Sequence, residues 1–255
     1  LVETRYTYQG RKSKWERALP PAAYRETPRQ VARGEATYET MDPRTAISWA
    51  TRWYDGRNYN LFGMLADVRN GSGFAGVKLG DGFVPISPPK GWPTDPGPEV
   101  KAFIGASEDD NDYPVPDGDG WPGDHTPSWL TLAELNAYDW ERQTARLCGV
   151  IPLAVYAERR AKGITGEPES YCGDAWGQGL VTMEQADADA AMDAGGIVEA
   201  EGQRVNVRVW WGETYAEAAG DFYTRVLPGL RSLVQDRGGF VTTPDDIRIV
   251  FNYDS

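Results

Sequence analysis

The residues with the clearest chemical potential stand just before a predicted helix. Asp55, Arg57 and Asn58 lie directly ahead of an apolar helical stripe. A helix N-terminus favours anions, because its first backbone N–H groups lack partners and its dipole is positive there. Arginine can recognise a phosphate or carboxylate through two parallel hydrogen bonds. The pattern indicates a ligand-binding site for an anion; the alternative is a turn at Asp55 followed by a helix cap at Asn58.

A second polar cluster surrounds His125, the only histidine of the chain. Three acidic residues precede it and could hold a divalent cation together with the imidazole: Asp117, Asp119 and Asp124. Carboxylates and an imidazole suit a hard or borderline metal. The spacing matches neither an EF-hand loop nor a zinc motif, so no cofactor is assured. The alternative is a loop histidine that only supports structure.

If the two clusters lay side by side in the fold, they could form the active site of a metal-dependent hydrolase of a phosphate ester. Its residues would be Asp55, Arg57, Asp124 and His125. This requires Arg57 and His125 to lie within about 10 Å of each other, the range of a direct or single-water contact. A cysteine hydrolase would need Cys148 to meet His125. The sequence has no phosphate-binding loop, dinucleotide fingerprint or serine-hydrolase elbow. Its motifs therefore do not decide whether the protein is an enzyme.

The charge of the chain is negative and unevenly distributed. Among 255 residues, 38 are acidic and 26 are lysine or arginine, which gives a net charge of −12. No lysine or arginine lies between Lys101 and Arg142, or between Lys162 and Arg204. Acidic tracts repel nucleic acid and attract cations or basic partners, so no nucleic-acid binding by a basic patch is expected. The alternative role of the tracts is solubility.

The composition predicts a folded protein that does not enter the membrane. Apolar residues make up 40% of the chain, and no apolar run reaches the length of about 18 residues that a membrane helix needs. The two cysteines form no C-x-x-C pair, and no signal peptide is recognised. We expect a protein of a reducing cytoplasm.

The pattern of elements predicts an α+β fold in a single domain over 1–255. A mixed or antiparallel sheet is expected to be packed by capped helices, with long ordered loops between them. A short helix is expected at 44–51, and 105–128 is expected to be an acidic loop insertion. Strands are predicted at 2–8, 14–19, 76–79, 203–211 and 247–253.

Three capping boxes predict where helices begin. Each pairs a threonine with a glutamate or glutamine three residues later, and the two side chains satisfy N–H groups of the first turn. The threonines are Thr131, Thr182 and Thr214. A further helix is expected after Asn58 and should end at Asn70. Its apolar stripe is Leu61, Leu65 and Val68.

The helix that follows Thr214 is expected to run to about Arg237, with a kink at Pro228. The alternating strand 203–211 precedes it, and the apolar strand 247–253 follows it. If the two strands are parallel neighbours, the three elements form a right-handed βαβ crossover at the C-terminal end.

The acidic tract at 107–124 is expected to be ordered. Trp121 and Trp129 would pin its C-terminal end, and Arg52, Arg57 or a bound cation would meet its carboxylates. Without such partners, repulsion between exposed like charges would keep the tract mobile.

Three segments carry long and specific motifs. They are YDGRNYNLFGMLADVRN at Tyr54–Asn70, GDHTPSWLTLAEL at Gly123–Leu135 and DIRIVFNYD at Asp246–Asp254, and Phe83–Gly91 also fits. Together they resemble a family of uncharacterised proteins encoded by tailed bacteriophages and prophages. The resemblance covers the chain from residue 54 to its end, and it implies a phage origin without a defined activity.

Members of that family begin with a short segment similar to Cys-Asp-Ile-His. This sequence begins at Leu1-Val-Glu-Thr and lacks it, either because the segment has been trimmed or because this member departs from the pattern. No metal or catalytic site that uses that Asp and His is therefore carried over.

Three functions are compatible with these observations. The first is a phage accessory protein that binds a host or phage protein, or a small anionic molecule, in the host cytoplasm. The second is the metal-dependent hydrolase of a phosphate ester. The third is a virion or assembly component, which needs only a complementary surface. The sequence does not indicate the oligomeric state.

Overall fold

The computed structural model describes residues 1–8, 47–51, 57–97, 125–173, 179–196, 203–237 and 240–253, together with the single residues 100 and 104. The chain divides into two units. The first unit comprises 1–56, 86–138 and 221–255, and the second comprises 57–85 and 139–220. Whether they form the single predicted domain over 1–255 stays a prediction.

Nine strands lie within the described residues. They are β1 (Val2–Tyr8), β2 (Ile47–Thr51), β3 (His125–Thr131), β4 (Thr144–Pro152), β5 (Leu180–Glu184), β6 (Arg204–Thr214), β7 (Gln235–Arg237), β8 (Phe240–Thr242) and β9 (Ile247–Tyr253). The first unit has the order β3-β9-β1-β8-β7, with β2 also on β1, and its pairings are antiparallel. The second unit has the order β4-β6-β5, in which β4 is antiparallel and β5 is parallel to β6. The predicted α+β class with antiparallel or mixed sheets is confirmed.

Six α-helices accompany these strands in the described part of the chain. They are α1 (Tyr59–Ala66), α2 (Leu132–Ala137), α3 (Leu153–Ala161), α4 (Gln185–Asp193), α5 (Tyr215–Ala219) and α6 (Leu227–Arg231). Short 3-10 segments occur at Phe74–Gly76 and Pro244–Asp246, and a π-helical turn occurs at Phe222–Val226. Within the described ranges, we find no helix with the length and apolar character needed to span a bilayer.

Strand β6 shows the predicted alternation. Its buried side chains are Val205, Val207, Val209 and Trp211, and the residues between them are half-buried. This period of two places one apolar face of the strand in the core of the second unit. The strands predicted at 2–8 and 247–253 are also confirmed, while 14–19, the predicted hairpin partner of the first, lies outside the described residues.

Two of the three predicted capping boxes are confirmed. The Thr131 hydroxyl accepts the N–H of Glu134 at 3.2 Å, and the Glu134 carboxylate accepts the N–H of Thr131 at 2.8 Å. Thr214 and Glu217 repeat the arrangement at 3.2 Å and 2.7 Å. Both boxes use atoms only three residues apart, which is why a local pattern was sufficient to predict them.

The capping box predicted at Thr182 was wrong. Thr182 lies within β5, opposite Asn206 of β6, and α4 begins only at Gln185. The ladder of hydrogen bonds with β6 holds this backbone extended, so tertiary pairing outweighs a local preference for a helix start.

The predicted C-terminal crossover was also wrong, because β6 and β9 belong to different sheets. The parallel pair is β5 and β6, and α4 lies between them in the chain. The helix predicted to run to Arg237 breaks at Gly220, whose φ is 56°, and 235–237 form β7. Glycine adopts this backbone conformation without steric cost, so the break precedes Pro228, which lies in the first turn of α6.

Other boundaries also differ from the predictions, and the helix expected to end at Asn70 ends at Ala66. The helix expected at 44–51 is replaced over 47–51 by β2, whose alternating Ile, Trp and Thr favour a strand paired with β1. The strand expected at 76–79 is reduced to isolated bridges on either side of Leu79. The acidic loop expected to reach residue 128 ends earlier, since 125–128 belong to β3.

A buried charge cluster ties the first unit together. The Glu3 side chain is fully buried, and it accepts hydrogen bonds from the Arg248 guanidinium and from the N–H of Gly97. Arg248 also pairs with Asp95 at 2.8 Å and lies over the Trp129 ring. We call Glu3, Asp95, Trp129 and Arg248 the Arg248 cluster.

Candidate functional site

Most residues of the predicted metal site lie outside the described residues, namely Asp117, Asp119 and Asp124, and the same holds for Asp55. The backbone of His125 begins β3 opposite Tyr253. Among the described residues, no group of His, Cys, Asp and Glu side chains is arranged to hold a metal ion. The metal site, the hydrolase hypothesis and the ordered acidic tract at 107–124 therefore stay predictions.

Arg57 and Asn58 are described, and Asn58 has a structural role. Its side-chain oxygen accepts the N–H of Leu61 at 3.0 Å, which caps α1 as predicted. Its amide nitrogen donates to the carbonyl oxygen of Ala218 at 3.1 Å and thereby ties α1 to the end of α5. Arg57 is exposed beside it. Its predicted convergence with His125, which belongs to the other unit, stays a prediction.

An open groove of about 560 Å³ lies in the second unit beside Asn58. Its floor is formed by Leu147 of β4 and Trp211 of β6, which are both buried and lie directly opposite each other in the sheet. An adjoining recess of about 320 Å³ reaches Arg57 and Cys148. We call the larger cavity the Trp211 groove; its lining residues are Asn58, Asn60, Leu147, Glu167, Tyr171, Trp211, Gly212, Glu213, Glu217 and Ala218.

Tyr171 forms an aromatic wall of the groove. Its ring meets the Trp211 ring edge to face, with centroids 5.0 Å apart. The segment is held in place because Cys172 exchanges backbone hydrogen bonds with Val150 of β4, at 2.7 and 3.1 Å. The ring also fills the space above Gly149, where a Cβ atom would lie only 2.3 Å from the Tyr171 Cδ2 atom. The wall is therefore fixed by the sheet beneath it.

Three glutamates line the groove beside these rings, and each accepts hydrogen bonds from a single residue. Glu213 accepts the indole N–H of Trp211 at 2.8 Å, and Glu167 accepts the hydroxyl of Tyr171 at 3.0 Å. Glu217 accepts the N–H and hydroxyl of Thr214 through the capping box. Across the described ranges, none of the three carboxylates forms an ion pair.

The environment of the groove changes the proton affinity of these groups. Burial raises the pKa of Glu213, and the negative charges of Glu167 and Glu217 raise it further, against the opposing effect of the Trp211 hydrogen bond. Burial and the hydrogen bond to Glu167 raise the pKa of Tyr171 to about 12. The hydrogen bonds from the Thr214 backbone and hydroxyl lower the pKa of Glu217. The groove therefore brings carboxylates close together, and the ionised form of Glu213 is disfavoured there.

Cys148, at the bottom of the adjoining recess, is a buried thiol. Its Sγ donates to the carbonyl oxygen of Lys78 at 3.6 Å, and burial raises the pKa of the thiol. A raised pKa disfavours the thiolate that a nucleophile needs. The packing of Cys148 therefore favours a structural role.

Of the residues that line the groove, sequence patterns identified Asn58 as a candidate but missed the aromatic rings and the carboxylates. Trp211 lies in the predicted strand 203–211, Glu217 was predicted only as part of a cap, and Tyr171 lies in a segment without a periodic signal. The available signal was the run Trp211-Gly212-Glu213, which places a ring and a carboxylate at a strand end just before a capped helix.

Comparison of the chain with protein-family models, with curated proteins and with solved structures finds no match. The resemblance to phage and prophage proteins therefore stays a prediction.

Proposed function

We propose that the protein acts by binding a partner protein, and that the Trp211 groove is the place of contact. The observation that carries this proposal is an open cavity with a fixed aromatic wall and three oriented carboxylates. No lysine or arginine among the described residues forms an ion pair with these carboxylates. In line with the resemblance to phage proteins, we take the partner to be a host or phage protein.

The aromatic wall supports a binding role. Tyr171 keeps 42% of its surface exposed although its ring is held against Trp211. Tyrosine and tryptophan supply large contact areas with little loss of conformational entropy, and they are enriched among the residues that dominate binding energy. A ring that is already held in place loses still less entropy when a ligand arrives.

The proposal is tested with a random heptapeptide library displayed on yeast. Sorting for binding to the wild-type protein and against Tyr171→Ala should enrich peptides that depend on the aromatic wall, with affinity about tenfold weaker for the variant. Tyr171→Phe keeps the ring and should retain binding. Phe74→Ala is the matched control, because Phe74 is an aromatic residue of the same unit, 63% exposed and outside the groove.

Two results would contradict the proposal. One is a library without any peptide whose binding depends on Tyr171, measured with a variant whose circular dichroism spectrum matches that of the wild type. The other is equal loss of binding in Phe74→Ala and Tyr171→Ala, which would place the contact outside the groove.

A further inference from the structure

We propose that the occupant of the Trp211 groove is a cationic side chain, a lysine or arginine from a basic segment of the partner protein. This inference rests on the proposed binding function and names the chemistry of the ligand. It is carried by the Tyr171 ring, the three carboxylates and the absence of a cation from this groove among the described residues.

Elsewhere the same chain fills comparable surroundings with its own cations. In the first unit, the ammonium of Lys90 lies 4.3 Å from the Trp129 ring centroid and forms an ion pair with Glu134 at 2.5 Å. In the second unit, Lys78 lies 4.6 Å from the Trp210 ring centroid, and Arg146 lies 4.2 Å from it. A ring that faces a cation is a stabilising arrangement, and a nearby carboxylate strengthens it.

The Trp211 groove contains the ring and the carboxylates of this arrangement but not the cation. No described lysine or arginine lies over Tyr171 or Trp211, and none pairs with Glu167, Glu213 or Glu217. Each of these carboxylates has one hydrogen-bonded oxygen fixed by a protein donor, so the groups are oriented before a ligand arrives. A visiting ammonium or guanidinium would complete the arrangement without reorganising it.

An anionic occupant is disfavoured by the same charges. Of the residues that line the groove, three are acidic and none is basic, and Arg57 lines only the adjoining recess. The amide of Asn58 is engaged by Leu61 and Ala218. A phosphate or carboxylate would face repulsion from Glu167, Glu213 and Glu217, whereas the net charge of −12 attracts basic segments from a distance.

The test uses three capped tetrapeptides: Gly-Lys-Lys-Gly, the same peptide with both lysines acetylated, and Gly-Glu-Glu-Gly. Binding is followed by the ¹⁵N signal of the Trp211 indole N–H, which donates to Glu213 and is assigned with Trp211→Phe. The lysine peptide should shift this signal and bind at least about tenfold more tightly than the other two, with the difference shrinking as salt is added.

Single substitutions then locate the contact. Glu213→Gln and Glu167→Gln should each weaken binding of the lysine peptide by about threefold, the effect of one partly exposed charge pair. Glu169→Gln is the matched control, because Glu169 is an exposed residue of the same segment and does not line the groove; it should leave affinity unchanged.

The outcomes separate the inference from the proposed function. If Tyr171-dependent peptides exist but are neutral or acidic, or if acetylation leaves affinity unchanged, the cationic occupant is wrong while binding in the groove stands. If the lysine peptide binds with equal loss in Glu169→Gln and Glu213→Gln, its contact is non-specific and the inference is wrong. If no peptide from the library depends on Tyr171, both fail.

Discussion

The Arg248 cluster of the first unit and the Trp211 groove of the second combine tryptophan with acidic side chains and end in opposite electrostatic states. In the cluster, Glu3 is fully buried and is matched by Arg248, which also binds Asp95. In the groove, Glu213 is only partly buried and has no described cation beside it.

The difference separates groups that hold a fold together from groups whose charge the described residues leave uncompensated. A buried carboxylate without a compensating cation costs several kcal/mol, so the stability of the first unit depends on the pairing of Glu3 with Arg248. A carboxylate at the wall of an open groove keeps part of its hydration, so its charge can be left uncompensated at a moderate cost.

Arg248→Met should destabilise the protein by about 3–5 kcal/mol, because it leaves the Glu3 carboxylate buried without its cation. Urea unfolding measures the change. The double variant Glu3→Gln with Arg248→Met should recover much of the loss, since no buried charge then remains unpaired. Arg225→Met removes an exposed pair with Asp221 and should change stability by less than about 1 kcal/mol. Equal losses in Arg248→Met and Arg225→Met would refute this account of the cluster.

The capping boxes provide an intermediate effect that the two units share. Thr131→Ala should lower the free energy of unfolding by about 1 kcal/mol, because the first turn of α2 loses its side-chain acceptor. Thr214→Ala should act in the same direction at α5. Thr182→Ala is the control, since Thr182 has the same sequence motif but lies in β5. If chemical denaturation shows an equal loss for Thr182→Ala and Thr131→Ala, capping does not explain the effect.

The smallest change in stability is expected for a substitution in the groove. Unlike the substitutions above, it should leave stability unchanged or raise it at neutral pH. The pKa of Glu213 is raised in the folded state, so its contribution to stability is fully present below the unfolded pKa and is lost as pH rises through the folded pKa. Glu213→Gln should therefore melt at or above the wild-type temperature at neutral pH, and the two proteins should converge in acid. Glu217, whose pKa is lowered, contributes stability that is lost as pH falls through its folded pKa.

Differential scanning calorimetry of the wild type and Glu213→Gln, from acid to neutral pH, checks the prediction. Glu169→Gln is the reference variant. A lower melting temperature for Glu213→Gln at neutral pH would show that the carboxylate stabilises the fold. The contrast with Glu3 would then disappear.

Features that depend on neighbouring residues were predictable from the sequence. The Thr131 and Thr214 boxes and the Asn58 cap join atoms three residues apart, and the face of β6 follows from a period of two. Thr182 shows the limit of this reasoning, because an identical local motif lies within a strand once β6 pairs with it.

The candidate site was not predictable because long-range contacts make it. Tyr171 meets Trp211 and Gly149 across separations of 40 and 22 positions in the sequence, and no periodic pattern records such a meeting. Asn58 was identified as a cap, but its second hydrogen bond, to Ala218, depends on the packing of α1 against α5. Neighbouring residues therefore predicted a candidate anion site, whereas the aromatic wall and the carboxylates of the groove became visible only in the folded chain.

The absence of a side chain at Gly149 gives a way to sort related chains before any of their structures is known. Because the Tyr171 ring occupies the volume of the missing Cβ atom, an alanine at this position and the present aromatic wall exclude each other. A homologue with a larger residue there must place its loop elsewhere and lacks this aromatic wall, even if every glutamate is retained. A single position on the outer strand β4 would then mark which related chains can keep this aromatic wall.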